Sequence, residues 1–140
     1  MTYQNAVREA RDKQEALKPD RFVKISQRLD NCGIPKELWR PLTENAYLQT
    51  WKGLTIEKDP MQIALYPMLL YELQPKTIIE LGTLNGGSAV WLADQLDLFQ
   101  IEGHVYSVDI DLSLLDEKTR NDSRIDFLEG DCNKDRKSTR

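Results

Sequence analysis

A chain of 140 residues has room for one domain, and 40% hydrophobic with 30% charged residues is enough apolar material for a core and too little charge for a disordered chain. Lys and Arg total 19 against 23 Asp and Glu, a net charge of −4, which argues against a general nucleic-acid binder. No apolar run approaches the roughly 20 residues that span a bilayer, and the opening residues lack a signal-peptide shape, so the expectation is a soluble, intracellular, cytoplasmic protein with reduced thiols and no membrane partner.

The first stretch reads as a polar helix with Tyr3, Ala6, Val7, Ala10 and Leu17 near one face, stopping at Lys18-Pro19. Asp20 is placed to cap a second helix carrying Phe22, Ile25 and Leu29, which Asn31-Cys32-Gly33-Ile34-Pro35 ends. From Lys36 to Lys58 the pattern is irregular, with Pro41 breaking it, and a loop with short extended pieces is expected. Asp59-Pro60 is a helix start, an N-cap followed by proline at the first helical position. That helix should reach about Leu73 and bury Ile63, Leu69, Leu70 and Leu73. Pro67 inside it predicts a kink or two short helices.

Thr77-Ile78-Ile79-Glu80-Leu81 reads as a buried strand, followed by a glycine-bearing turn and a helix over Ser88 to Leu98. His104 to Asp109 is a second strand, Asp111 to Lys118 a short helix, and Ile125 to Glu129 a third strand. This β-α-β-α-β order implies an α/β fold with a parallel sheet. The expected organisation is a helical and irregular extension over 1–58, a sheet-bearing part over 59–132 and a frayed basic tail over 133–140.

The informative unit is Glu80-Leu81-Gly82-Thr83-Leu84-Asn85-Gly86-Gly87-Ser88, between a strand and a helix. In doubly wound sheets ligands bind where strands end and helices begin. Gly82 lets the chain turn off the strand; Gly86 and Gly87 let backbone approach a ligand with no Cβ in the way. A P-loop would need Lys before Ser88, where Gly87 stands, and the dinucleotide fingerprint would need Gly at position 84, which is Leu. The remaining pattern, acid-x-Gly-x-x-x-Gly, resembles the first motif of the S-adenosylmethionine-dependent methyltransferases. That resemblance implies a cofactor grip by Glu80, Gly82, Thr83, Gly86, Gly87 and Ser88, with Glu80 facing the amino-acid side. Asp109 ends the second strand, where a carboxylate can accept both ribose hydroxyls. Asp131 follows the third strand, where a carboxylate can accept from an adenine amino group.

Trp51-Lys52-Gly53-Leu54-Thr55-Ile56, Asp59-Pro60, Pro75 to Thr83, Gly86-Gly87-Ser88-Ala89 and Val108-Asp109-Ile110-Asp111 together resemble the cephalosporin hydroxylase and rhamnosyl O-methyltransferase family. The resemblance covers roughly residues 45 to 132. It implies a Rossmann-like sheet of the S-adenosylmethionine-dependent methyltransferase type, that cofactor, O-methylation of a hydroxyl on a small molecule or sugar, and for some members a divalent metal such as Mg. In the family the metal-binding acids and the substrate-facing base come from the fourth strand onward. The chain is therefore expected to be incomplete at about three strands, with catalytic residues unknown and metal ligands not present.

The single histidine, His104, begins the second strand, about 16 Å from Asp109 at about 3.3 Å per residue, the wrong end for chemistry. Three strands also leave one edge of the first strand unpaired, which suggests self-association or a partner chain. Two alternatives stand beside the methyltransferase reading. One is a non-catalytic α/β interaction module or half-domain completed by a partner; the other is a nucleotide-sugar or NAD-binding Rossmann domain.

Overall fold

The computed structural model describes residues 2–17, 24–27 and 33–132. The chain divides into two compact units, Met1–Ile34 and Pro35–Arg140. The first unit contains helix α1 (Tyr3–Leu17) and a 3-10 turn at Ile25–Gln27. The α1 helix forms as its periodicity predicts, but residues 2–15 are all exposed, Tyr3 and Val7 included, so these two apolar side chains bury nothing. The rest of the predicted second helix, and the basic tail over 133–140, lie outside the described residues.

The second unit begins with α2 (Lys36–Glu44), where an irregular loop was expected. Pro41 sits inside this helix and removes one N–H, but the flanking turns carry on without it. A hairpin follows, β1 (Thr50–Trp51) against β2 (Leu54–Thr55). Its two-residue turn, Lys52-Gly53, has φ +52° and +83°, the left-handed pair that joins short antiparallel strands.

Helix α3 (Pro60–Leu73) starts as predicted. Asp59 Oδ1 accepts from Met61 N–H at 2.8 Å and Gln62 N–H at 2.9 Å, and Gln62 Oε1 accepts from Asp59 N–H at 3.0 Å. Of the two outcomes expected at Pro67, two short helices do not form: the helix runs as one element through it. This capping box and a left-handed Gln74 at the other end hold both termini, so the missing proline N–H is tolerated. Of its predicted core residues Leu70 is buried and Ile63 partly so, whereas Leu69 and Leu73 are exposed.

Strands β3 (Thr77–Leu81), β4 (His104–Asp109) and β5 (Ile125–Glu129) form at the predicted residues. They pair in parallel in the order β3-β4-β5, with Thr77 opposite His104 and Val105 opposite Ile125. Among the described residues β4 is central and β3 lies at an edge. The expectation of a buried β3 fails on one face: Ile79 and Leu81 are each 68% exposed, whereas Ile78 on the opposite face packs against the core. Helix α4 (Gly87–Leu98) links β3 to β4. The short α5 (Glu117–Arg120) replaces the longer helix expected from Asp111.

The core gathers around α4. Residues Ala89 to Ala93 are all buried in succession because the helix is covered by the sheet and also by the hairpin and α3. Leu54 and Ile56 from the hairpin region join Val105, Ile125 and Trp91 in one cluster, and Tyr66 of α3 packs at a tilt against Trp91 with ring centroids 5.8 Å apart. No helix among the described residues is long and apolar enough to cross a membrane.

Candidate functional site

The carboxyl ends of β3 and β4 open into a cleft of about 570 Å³. Glu80, Gly82, Thr83, Ser88 and Asp109 all line it, joined by Lys58 and Glu57 from the segment between β2 and α3. Five of the eight residues singled out by sequence thus converge on one place. Such a position follows from the parallel topology, because every strand-to-helix turn falls on the same edge of the sheet.

The turn after β3 is built from alternating left-handed residues. Gly82, Leu84 and Gly86 have φ of +96°, +49° and +82°. A Cβ on Gly82 would meet nothing within 4 Å, so this glycine exposes backbone to the cleft. Gly86 and Gly87 differ from the expectation: neither lines the cleft. A Cβ on Gly86 would come within 2.8 Å of Leu115 and Thr119, and one on Gly87 within 2.2 Å of the Thr55 carbonyl oxygen. Their missing side chains therefore let α4 press against the hairpin and against Leu115 and Thr119. The first free N–H of α4 is also spoken for, since Gly87 N–H donates to Asn85 Oδ1 at 3.1 Å.

Asp109 holds this turn in place. Its Oδ2 accepts from Thr83 N–H at 2.6 Å and from Leu84 N–H at 3.2 Å, and Oδ1 takes Asp111 N–H at 3.3 Å. The Thr83 amide, opposed by partial desolvation and helped by the other backbone amides, holds the carboxyl below its ordinary value. It is ionised at neutral pH. A carboxylate has about four acceptor sites, so Oδ1 keeps room for hydroxyl donors.

Beneath the turn lies a hydroxyl network. Glu80 accepts from Ser88 Oγ through one oxygen and from Ser107 Oγ at 2.7 Å through the other. Ser107 is fully buried and also pairs with Thr83 Oγ1 at 2.8 Å. Lys58 Nζ donates to Ser88 Oγ at 3.3 Å. Sequence reasoning missed both Ser107 and Lys58. The signal for Ser107 was available, as a small polar residue two positions from Val105 on the inward face of β4. Lys58 carried none: it closes the irregular 36–58 stretch, outside any periodic pattern.

Asp131 lies beyond the end of β5, half-buried, and is not among the residues lining the cleft. His104 starts β4 at the far end of the sheet, with Nε2 at 3.2 Å from Asp126 Oδ2. Among the described residues no three His, Cys, Asp or Glu converge as a metal site.

A family model described as rhamnosyl O-methyltransferase/CmcI matches residues 43–135. The chain belongs to this family. Rhamnosyl O-methyltransferases of Mycobacterium tuberculosis and Mycobacterium bovis are 34% identical over 80 residues, covering 57% of this chain and 33% of theirs. The chain thus spans about one third of the length of these curated relatives. A solved structure of CmcI with Mg and SAM superimposes with a TM-score of 0.59 at 31% identity, covering 80% of this chain and 50% of that one. A CmcI structure with SAH gives a TM-score of 0.60 at 32% identity, covering 75% and 57%. The fold is therefore the Rossmann-like methyltransferase fold of this family, as the three-strand reading implied.

Proposed function

We propose that the chain carries the cofactor-binding side of an S-adenosylmethionine-dependent O-methyltransferase that acts on a hydroxyl of a small molecule or sugar. One observation carries the reading: the Glu80-to-Ser88 turn and Asp109 meet in a single acidic cleft at the carboxyl ends of parallel strands, within a family whose CmcI structures hold SAM and SAH. Bound there, S-adenosylmethionine supplies an electrophilic methyl group for in-line transfer to an acceptor oxygen.

The residues present fit this cofactor. Gly82 offers unobstructed backbone. Asp109 Oδ1 has spare lone pairs for ribose hydroxyls, while Oδ2 keeps the turn rigid. Glu57, Glu80, Asp109 and Asp111 surround the cleft with negative charge, which favours a ligand with a positive sulfonium. Glu80, Thr83 and Ser88 are assigned to the amino-acid side, Gly86 and Gly87 to setting the pitch of the turn, and Asp131 to the adenine amino group. No base for the acceptor hydroxyl is assigned, since His104 is at the opposite end of the sheet. Among the described residues no three His, Cys, Asp or Glu side chains gather to hold a divalent cation, so the residues present do not fit Mg. Cys132, an exposed free thiol, is in keeping with a reducing compartment, and we place the protein in the cytoplasm.

Titration calorimetry with S-adenosylhomocysteine tests the cleft. Heat of binding is expected, and Asp109→Ala should weaken it by about 1–3 kcal/mol, the loss for hydrogen bonds to a charged group. Binding unchanged in that variant would remove Asp109 from the ribose contact. A second reading, an α/β module completed by a partner chain or a second copy, is favoured by β3 having no neighbour on one side among the described residues, and by Ile79 and Leu81 exposed on the face of the sheet away from the core. Light scattering after size-exclusion chromatography decides it: under this reading the protein self-associates at micromolar concentration, and a stable monomer sets self-association aside.

A further inference from the structure

Among the described residues Lys58 is the one cation lining an otherwise acidic cleft. Glu57, Glu80, Asp109 and Asp111 are the other charged residues there, and any anionic group entering would be repelled by all four. Among the described residues the Lys58 ammonium forms no ion pair; its hydrogen bond goes to the Ser88 hydroxyl at 3.3 Å. Ser88 in turn donates to Glu80. A positive and a negative side chain therefore stand one hydroxyl apart on the wall of the same cleft.

The backbone holds Lys58 in place. Ile56 is 3% exposed and donates its N–H to Gln49 O at 3.1 Å. Asp59 is buried and locked into the capping box of α3. Between them Glu57 takes a left-handed φ of +43°, an unusual conformation for a residue with a side chain, which aims the next residue at the cleft. A lysine on so constrained a stretch loses less entropy when its ammonium is captured than one on a free loop.

We propose that Lys58 binds the carboxylate of an α-amino-acid group whose ammonium is taken by Glu80, with Ser88 bridging the two side chains. An α-amino acid carries both charges on one carbon, which matches a cation and an anion separated by a single hydroxyl. The lysine trades its neutral partner for a charged one, and a charge-assisted hydrogen bond is the stronger. The cleft's four carboxylates serve the cationic parts of such a ligand, and Lys58 serves its one anion. This inference rests on the S-adenosylmethionine reading above and adds to it the residue that recognises the carboxylate.

Calorimetry with two probes separates the inference from the reading beneath it. The probes are S-adenosylhomocysteine and its decarboxylated form, which keeps the adenosine, the thioether and the amine. The wild-type chain should prefer the carboxylate-bearing probe. Lys58→Met should weaken that probe roughly ten- to a hundredfold and leave the decarboxylated one unchanged, while Lys58→Arg keeps the preference. Wild-type protein that binds both probes equally would overturn the role of Lys58 and leave the cofactor reading standing. A parallel loss of both probes in Lys58→Met, or no loss of either, would also overturn it. Wild-type protein that binds neither at millimolar concentration would refute the cofactor reading and this inference with it. The wild-type comparison needs no variant to fold, so the result does not depend on the stability of Lys58→Met.

Discussion

The two ends of α4 carry polar clusters of opposite character. Toward its C-terminal half Asp94 takes Arg124 Nη1 at 2.9 Å on one oxygen, and Trp51 Nε1 and Lys52 Nζ, each at 2.6 Å, on the other. Arg124 also grips Asp97 at 2.5 Å and Asp122 through Nε at 2.8 Å and Nη2 at 2.5 Å. This cluster ties the hairpin, α4 and the start of β5 together, and each of its three carboxylates is bonded to at least one of its two cations. At the N-terminal turn the balance differs: Ser88 links Lys58 to Glu80, four carboxylates face one ammonium, and Asp109 keeps acceptor capacity unused. A closed network holds structure, whereas an open one leaves charge for a ligand to complete. The same helix serves both because its middle is buried on all sides and holds its ends rigidly apart.

The sharpest break in this comparison comes from Gly87, which lies at the cleft end yet serves packing. Gly87→Ala puts a Cβ against the Thr55 carbonyl, which would sit 2.2 Å away, so strand or helix must move. The expected cost is about 3 kcal/mol or more, read by urea unfolding, because overpacking against backbone has no flexible side chain to yield. A loss under about 1 kcal/mol would show that the hairpin shifts freely.

Arg124→Ala comes next. It strips Asp94, whose side chain is 12% exposed, of one partner and Asp122 of both its guanidinium contacts. A loss of about 2–3 kcal/mol in the same unfolding measurement is expected, with S-adenosylhomocysteine binding retained. Loss of binding without loss of stability would mean the two ends of α4 are not separable.

The smallest effect is in acid. Burial pushes the Asp94 carboxyl up, but hydrogen bonds from Lys52, Trp51 and Arg124 outweigh it and leave the group below its ordinary 3.8. The Arg124 hydrogen bond chiefly lowers Asp122, and the Thr83 amide chiefly lowers Asp109. A carboxyl depressed on folding contributes its full stabilisation above the unfolded value of 3.8 and loses it as pH falls through the lower folded value. Thermal melts from pH 5 downward should therefore show stability falling below about pH 4, and Arg124→Ala should flatten that fall. An unaltered acid limb in the variant would show that the C-terminal cluster does not set it.

Much of the sheet was legible in the residues. Thr77–Leu81, His104–Asp109 and Ile125–Glu129 are short β-branched or alternating runs bounded by turns, and local pattern suffices for these. The segment 36–58 was not legible, because a helix containing Pro41 and strands of two residues have too little local signal, and the two strands depend on packing against α4. The glycine turn pointed to the cleft through Gly82, but Gly86 and Gly87 read identically to it in sequence and turned out to face protein.

By itself the sequence determined the parallel β-α-β-α-β order, the capped start of α3 and the family, since each rests on local residue chemistry and spacing. Only the tertiary structure decided which face of each element is covered. It exposed Ile79 and Leu81 because they point to the sheet face opposite the core, and turned Gly87 toward Thr55. It also brought Lys58 to Ser88 across thirty residues of chain. Those outcomes depend on contacts between segments far apart in sequence, which no local pattern records.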